Sequence, residues 1–508
     1  MGRNSSQCIL EIPFTDLGAS PVSLTQATEC RFQFIDCHRF IHKETIRILE
    51  FAQLPTDPSY AVVSYVWKGL QPLSDDTPSI PNIIIDGAVG ADPISGEVLR
   101  LVIIAASMSG CELIWLDGLC ILQGNETDKT WQIERMYSIY TSSKDCIVVP
   151  GGLRRLTTLE EETSWILRAW TLQEAVAPTS SHCLFSWKYP SCTLQTNIPL
   201  TITAIEPGMA AITDLLSLLQ MVSKRTNDYH ILDSAFKEIV FPAPYPYINI
   251  FGNSLQAQPQ VTELLQAMQK KGKPEMSIAI WRSSFLRSAK YPVDTVFSIM
   301  GLLGVTLDVK RFGPDDRLGA TIALMQAILQ AGGRAEWLGI GIDTEPNPRL
   351  STIPSFPHTN SAGKAIIAIK DDGDKEVSRL ISTSWGIRET PKGTMDDQGY
   401  FRFRAPAASI RKARSSTNMA GFSSKTLGKW ELLPNTQGSF AAVFIGYWAD
   451  YSNVALGLAF RSDNCVLMLI KKHAPGKYHN IGYVFVEEHV LGRKGWKKNV
   501  FVVGGPEA

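Results

Sequence analysis

The run YAVVSYVW, residues 60–67, is the clearest structural signal in the chain. It combines β-branched and aromatic side chains without a charged residue, a composition typical of a strand that is buried on both faces. Two runs of the same kind follow, ELIWLD at 112–117 and CIVVP at 146–150. A further short apolar run, NIIID, lies at 82–86. Residues 60–150 therefore supply the strands of a sheet.

Helical patterns separate and follow these strands. Apolar residues recur at helical spacing over 94–108 and 128–140, and three glutamates open a further helix predicted over 160–177. Strands that alternate with helices predict a parallel sheet with helices on both faces. Ligands of such sheets bind beyond the carboxyl ends of the strands, so we expect a site in the loops at that edge.

The rest of the chain predicts two further regions. Residues 196–350 are expected to be mostly helical, and a segment rich in Pro, Ser and Thr at 344–357 marks a boundary. Short strand-like runs separated by turn residues then predict an antiparallel β domain over 360–508. The expected organisation is an α/β domain over 1–195, a helical region and a β-rich C-terminal domain.

Composition excludes some classes of function. The 508 residues carry 49 basic and 49 acidic side chains, so the chain lacks the excess of cations that broad nucleic-acid binding requires. Nine dispersed cysteines without a CxxC pair indicate free thiols in a reducing compartment, and we predict a cytoplasmic protein without a metal site. No apolar run approaches the about 18 residues that span a bilayer. The opening MGRNSS fits the loose N-myristoylation pattern at Gly2, although an ordinary polar terminus is the alternative.

The first strand ends in a cluster of chemically useful residues, Ser64, Tyr65, Trp67 and Gly69. A hydroxyl can bind a phosphate or sugar, an aromatic ring can stack on a base, and a glycine allows close approach of the backbone. These residues therefore predict a nucleotide site. The alternative is an ordinary exit from a strand with a buried indole.

The second strand ends at Asp117, followed by Cys120. Carboxylates at this position in doubly wound sheets often contact ligands, but an aspartate also caps turns, and the residues alone favour neither reading. Cys120 is interpreted as a small core thiol rather than a nucleophile, because no histidine lies near it in the sequence.

The third candidate is Glu174, in the segment RAWTLQE at 168–174. On a helix Trp170 and Glu174 are neighbours four residues apart, so they share one face. Leu167 and Thr171 lie on that face too, and a glutamate in such surroundings suits a functional carboxylate in a partly apolar pocket. The alternative is a buried glutamate paired with a structural cation.

Taken in order, these blocks resemble the fungal heterokaryon-incompatibility (HET) domain. The matching segments are SYVWKG (64–69), LIWLDGLCILQ (113–123), QIERMYSIY (132–140) and RAWTLQE (168–174). The resemblance covers roughly residues 30–190 and implies a self/non-self or cell-death effector. Two departures from the family pattern, the inserted Lys68 and Leu122 in place of Asn, are expected near the ligand mouth.

A more distant resemblance is to Toll/interleukin-receptor (TIR) domains, which are flavodoxin-like and many of which hydrolyse NAD with a glutamate after the third strand. It implies that Glu174 is catalytic, that NAD is a substrate rather than a bound cofactor, and that the protein assembles into a homo-oligomer on activation. Ser64, Tyr65, Trp67, Asp117 and Trp170 would then bind NAD or a related nucleotide. The C-terminal regions would bind a protein partner.

Two alternatives to NAD hydrolysis stay open from the sequence. The first is a non-catalytic nucleotide-binding or protein-interaction module with the same fold, which the departures at Lys68 and Leu122 favour. The second is an enzyme that uses the same cleft to transfer a glycosyl or acyl group.

Overall fold

The computed structural model describes residues 6–18, 20–73, 79–195, 199–224, 230–232, 248–252, 258–370, 372–383, 385–413, 421–424, 428–433, 438–450, 460–493 and 495–506. The chain divides into two compact units, residues 1–261 with 308–311, and residues 262–307 with 312–508. The domain boundaries expected after residues 195 and 350 stay predictions. The acylation predicted at Gly2 lies outside the described residues.

The first unit is built on a mixed sheet that has eleven strands within the described residues. The strands are β1 (Gln7–Pro13), β2 (Phe32–Asp36), β3 (Thr45–Phe51), β4 (Tyr60–Tyr65), β5 (Leu113–Trp115), β6 (Asp145–Val149), β7 (Ser181–Ser186), β8 (Cys192–Gln195), β9 (Leu200–Glu206), β10 (Ala210–Asp214) and β11 (His230–Leu232). The helices are α1 (Cys37–Lys43), α2 (Gly96–Met108), α3 (Asp117–Cys120), α4 (Glu126–Thr141), α5 (Trp170–Val176) and α6 (Leu215–Lys224).

The centre of this sheet is parallel, as predicted. Strand β4 pairs in parallel with β5 on one side and β6 on the other, and β7 pairs in parallel with β6. The first four residues of β4 are almost completely buried, as expected for a strand with both faces covered. Antiparallel strands β1–β3 and β8–β11 extend the two sides of this centre. The α/β class is therefore confirmed, in a sheet that is larger and more mixed than the sequence predicts.

The sequence pattern leaves some features of this unit unexplained. The short apolar run at 82–86 makes isolated bridges, Ile83 with Ile94 and Ile85 with Val22. Ile83 of this run is almost completely buried, whereas Ile84 is 47% exposed. The first 55 residues supply three strands that the sequence pattern did not reveal.

The predicted helices are confirmed except at one end. Ser95 caps the N-terminus of α2, where its side chain accepts from the Val98 N–H. Asn125 caps α4 in the same way, by accepting from the Asp128 N–H. The helix predicted over 160–177 is wrong in its first half, because Glu161 bonds the Arg155 guanidinium at 2.6 Å and belongs to a loop. A single 3₁₀ turn at Trp165–Leu167 follows, and only then does α5 begin.

The second unit joins helices to an antiparallel sheet. The helices are α7 (Gln258–Gln269), which begins in the first unit, α8 (Pro274–Leu286), α9 (Asp294–Met300) and α10 (Arg317–Gln330). The strands are β12 (His358–Thr359), β13 (Ala365–Ile369), β14 (Gly373–Glu376), β15 (Trp385–Arg388), β16 (Gly393–Met395), β17 (Phe401–Lys412), β18 (Gly421–Ser424), β19 (Gly428–Leu433), β20 (Phe440–Asp450), β21 (Phe460–Ala474), β22 (Lys477–Glu487) and β23 (Lys497–Val503). The antiparallel C-terminal sheet is confirmed. Residues 196–350 carry β9–β11 in addition to the predicted helices.

Strand β17 gives the C-terminal sheet its closed form. Its first half pairs with β23, and its second half pairs with β20. Strands β20, β21 and β22 form a meander, and one parallel pair joins β22 to β23, so the five strands close on themselves. The core cluster of this sheet combines aliphatic residues with the buried Trp430, and Ile410, Leu467 and Val484 are almost completely buried within it.

Candidate functional site

A hydrogen-bonded chain of three side chains lies at the carboxyl end of β4. The Ser64 hydroxyl donates to Glu174 Oε2 at 2.5 Å and accepts from the Trp165 indole N–H at 2.9 Å. Ser64 and Trp165 are completely buried, whereas Glu174 is half-buried. Because the indole N–H can only donate, the single hydroxyl proton of Ser64 is directed at the carboxylate. The sequence predicted Ser64 and Glu174 for this site but missed Trp165.

The order of turns before α5 explains how Trp165 reaches this position. The Thr171 hydroxyl donates to the backbone carbonyls of Trp165 and Arg168, which fastens the 3₁₀ turn to the first turn of α5. Trp170 opens α5 and lies one turn before Glu174, where it is half-buried. Its indole makes no hydrogen bond or ring stack within the part of the chain that the structure describes.

A second cluster forms around Asp117 on the next parallel strand. Asp117 Oδ2 accepts from the Trp67 indole at 2.6 Å, and Oδ1 accepts from the Gly118 N–H at 2.7 Å. The Tyr65 hydroxyl bonds the same carboxylate. The structure thus brings Tyr65, Trp67 and Asp117 together, as three parts of one hydrogen-bonded cluster.

Burial and charge act in opposite directions on the Asp117 carboxyl. Loss of water raises its pKa above the ordinary value of 3.8, and the bonds from Tyr65 and Trp67, together with the charge of Arg168, reduce that rise. The pKa of Tyr65 is raised well above its ordinary value, first by burial and then by the charge of Asp117. Arg168 therefore acts on this cluster, which the sequence did not predict.

Tyr140 of α4 contacts the central strand β4. Its hydroxyl donates to the Val63 carbonyl of β4 at 3.2 Å. Burial raises its pKa well above the usual range, and the charges of Glu174 and Asp117 raise it further. The phenol is therefore neutral, and it lies within electrostatic range of both carboxylates. Its position in the run QIERMYSIY, one helical turn from buried Met136, was the only signal in the sequence.

Gly69 serves the packing of two loops. A Cβ atom at this position would lie 2.3 Å from the Gly151 carbonyl oxygen and 3.0 Å from the Gly152 Cα atom. The Leu70 N–H donates to that same carbonyl at 2.8 Å, and the Gly69 N–H donates to Asp92. The loop after β4 therefore touches the loop after β6, so the backbone approach that predicted a ligand here is made to another loop.

The two departures from the family pattern have simple environments. Lys68 is exposed to solvent. Leu122 is half-buried, and its backbone N–H donates to Asp128 Oδ2 at 3.1 Å. Cys120 is completely buried, and burial raises the pKa of its thiol to about 12, which leaves the thiol protonated.

An open cavity of about 670 Å³ lies at the opposite, amino-terminal edge of the parallel strands. Its lining is mostly apolar and comes from α1, α2 and the strand ends, including Cys37, Ile41, Leu49, Ile104, Met108 and Leu113. Among the described residues, no group of three or more His, Cys, Asp and Glu side chains is placed to hold a metal ion. No helix in the described ranges is long and apolar enough to cross a membrane.

Comparison with known proteins identifies the segment that carries this geometry. Residues 60–158 match the family model described as Heterokaryon incompatibility protein (HET). This range includes β4, the Asp117 cluster and Tyr140, and it ends before Trp165 and Glu174. No curated protein and no solved structure matches the chain. Residues 60–158 are therefore identified as similar to a HET domain, a similarity that suggests a role related to heterokaryon incompatibility and cell death.

Proposed function

We propose that this HET domain hydrolyses the bond between nicotinamide and ribose in NAD, with Glu174 as the one catalytic carboxylate. The observation that supports this is the 2.5 Å hydrogen bond from Ser64 to Glu174. It ties the end of the central strand to the helix that follows the third parallel strand. Functional carboxylates are often found in such partly buried positions beyond the strands of an α/β sheet.

The proposal includes a flavodoxin-like, TIR-like core. The parallel strands lie in the order β5, β4, β6, β7, which in chain order is 2-1-3-4. Flavodoxin-like sheets begin with the same order, and their ligands bind where the order reverses, beside the first strand. Ser64 ends that first strand, so this fold would place the substrate beside Glu174.

The chemistry requires few groups from the protein. The C1′–N bond of the ribose breaks, and its electron pair leaves with nicotinamide, which changes from a cation to a neutral molecule. No proton donor is needed for that departure. Glu174 would stabilise the positive charge that develops on the ribose. Water then adds to C1′ and releases one proton, which gives ADP-ribose.

Ser64 and Trp165 would position the carboxylate. The Ser64 hydroxyl donates to Oε2 of Glu174, and the indole of Trp165 fixes the direction of that bond. The half-buried rings of Trp67 and Trp170 would contact the substrate. We expect NAD hydrolysis to require assembly of several copies of the chain, as the resemblance to TIR domains implies.

The test is release of nicotinamide from NAD by the purified full chain, measured by chromatography while the protein concentration is raised. Glu174→Ala should lower the rate at least about 100-fold, because a charge aimed at the transition state is lost. Ser64→Ala should lower kcat about tenfold with little change in KM, since the carboxylate remains but is no longer directed.

The matched control is Glu162→Ala, which removes an exposed glutamate from the preceding loop. It should retain the wild-type rate. Wild-type turnover in Glu174→Ala, with an unchanged unfolding transition, would contradict the proposed mechanism.

A second candidate is a non-catalytic nucleotide-binding or interaction module. One observation favours it. Tyr65 and Trp67 both bond to Asp117, and Gly69 packs against a loop, so these residues stabilise the fold even without a ligand. This candidate predicts that NAD binds, detectable by calorimetry, without release of nicotinamide at any protein concentration.

A further inference from the structure

The pairing of β16, β17 and β23 places cations from distant parts of the sequence on one face of the sheet. Arg402 lies opposite Val502, Arg404 opposite Val500, and Pro406 opposite Lys498. Thr394 of β16 lies opposite Arg402 on its other side. These residues alternate with the buried Phe401, Phe403 and Phe501, so they lie on the opposite side of the sheet from those three rings. We call these seven residues the basic face.

The charge of the basic face is uncompensated. Arg402, Arg404 and Lys498 are exposed, and none of the three forms an ion pair or side-chain hydrogen bond with another described residue. None of the seven members is acidic. The chain as a whole has equal numbers of acidic and basic residues, so this concentration of one sign is local. Such a face attracts an anionic partner.

The remaining members of the face are apolar or small. Val500 is 51% exposed, which is unusual for a valine at the centre of a strand pairing. Val502 and Pro406 are half-buried beside it. An aliphatic patch framed by cations matches a surface that carries anionic groups above hydrocarbon. No aromatic ring belongs to the face, so the base stacking that supports binding to single-stranded nucleic acid is missing.

We propose that the basic face docks on anionic lipid headgroups of a membrane surface. Arg402, Arg404 and Lys498 would contact phosphate or carboxylate groups, and Val500 would contact the acyl boundary. The exposed Lys497 next to Lys498 adds to the same field. The proposal concerns peripheral attachment and is independent of the chemistry at Glu174.

The test is co-sedimentation of the full chain with vesicles of phosphatidylcholine alone or with one third phosphatidylserine. Binding should require phosphatidylserine and should weaken as salt is raised, because the Debye length falls to about 10 Å at 0.1 M. The triple variant Arg402→Glu, Arg404→Glu, Lys498→Glu should lower the affinity at least roughly 100-fold, since each cation near such a surface contributes about fivefold.

The matched control reverses three exposed cations that lie on separate elements, Lys273→Glu, Lys370→Glu and Lys429→Glu. It changes the net charge equally and should retain vesicle binding. The proposal is overturned if wild type binds both vesicles equally or not at all, or if the control loses as much affinity as the triple variant. Tighter binding to polyglutamate than to the anionic vesicles would also overturn it, in favour of an acidic protein partner. Unfolding transitions of both variants establish that each is folded.

Discussion

Two carboxylates lie beside the end of the central strand, and their surroundings differ. Asp117 accepts from an indole N–H, a backbone N–H and a phenol, of which the first two donors are fixed in direction. Glu174 accepts from the Ser64 hydroxyl, a donor that rotates and is aimed by Trp165. The first arrangement holds loops together, and the second holds a carboxylate in one orientation at a half-buried position.

This difference distinguishes a carboxylate that stabilises the fold from one that is a candidate for catalysis. A carboxylate whose oxygens are occupied by donors from the end of β4 and from its own turn stabilises the fold, because each of those donors would otherwise lack a partner. A half-buried carboxylate on a short helix contributes less to folding. The comparison therefore predicts that Asp117 matters most for stability and Glu174 for function.

The largest expected effect on stability follows substitution of Asp117. Asp117→Ala leaves the Trp67 indole and the Gly118 N–H without their acceptor, and we expect the free energy of unfolding to fall by about 3 kcal/mol. Urea denaturation followed by tryptophan fluorescence measures this change. Glu174→Ala should cost about 1 kcal/mol or less in the same experiment. An equal loss of unfolding free energy in the two variants would contradict the different roles assigned to Asp117 and Glu174.

An intermediate effect is expected where the loops after β4 and β6 meet. Gly69→Ala places a Cβ atom against the Gly151 carbonyl, and moving that backbone should cost about 2 kcal/mol. The control is Gly124→Ala, since a Cβ there meets no atom within 4 Å. The control should change the unfolding free energy by less than about 0.5 kcal/mol. If both variants are equally stable, the contact between the loops is not required.

The smallest effect is a dependence on pH. Burial raises the pKa of Asp117 above 3.8, so the folded protein holds this proton more firmly than the unfolded chain. The resulting stability is fully present below pH 3.8 and is lost as the pH rises through the folded-state pKa. The stability of wild type relative to Asp117→Asn should therefore fall across that window, by at most about 1.4 kcal/mol per pH unit. Urea denaturation at stepped pH measures it, and a relative stability that rises with pH would contradict the assigned direction.

The parallel centre of the fold was predictable because its strands are buried on both faces. Continuous apolar runs such as residues 60–65 identify such strands without knowledge of their partners. The outer strands β1–β3 were missed, since β1 has an exposed face and all three strands mix polar or charged residues with apolar ones. The glutamates at 160–162 indicated a helix start, but Arg155 binds Glu161 and keeps this segment in a loop. Local patterns do not reveal a competing ion pair of that kind.

The candidate site was predictable in its members but not in its groupings. Strand ends and the RAWTLQE segment pointed to Ser64, Asp117 and Glu174. Their division into two clusters depends on bonds between residues 50 and 110 positions apart, which no spacing encodes. Trp165 was missed for the same reason. The basic face was missed because its cations lie on strands that are about 95 positions apart in the chain and meet only through register.

The exposed Lys68 has a consequence for how this chain tolerates change in length. Trp67 on one side of it is anchored to Asp117, and Gly69 on the other side is anchored against Gly151. An extra residue between two anchors forms a short outward arch and displaces neither of them. Residues can therefore be added at this position, or its charge changed, while Trp67 and Gly69 keep their contacts. Such a change would alter which molecules approach the carboxyl edge of the sheet.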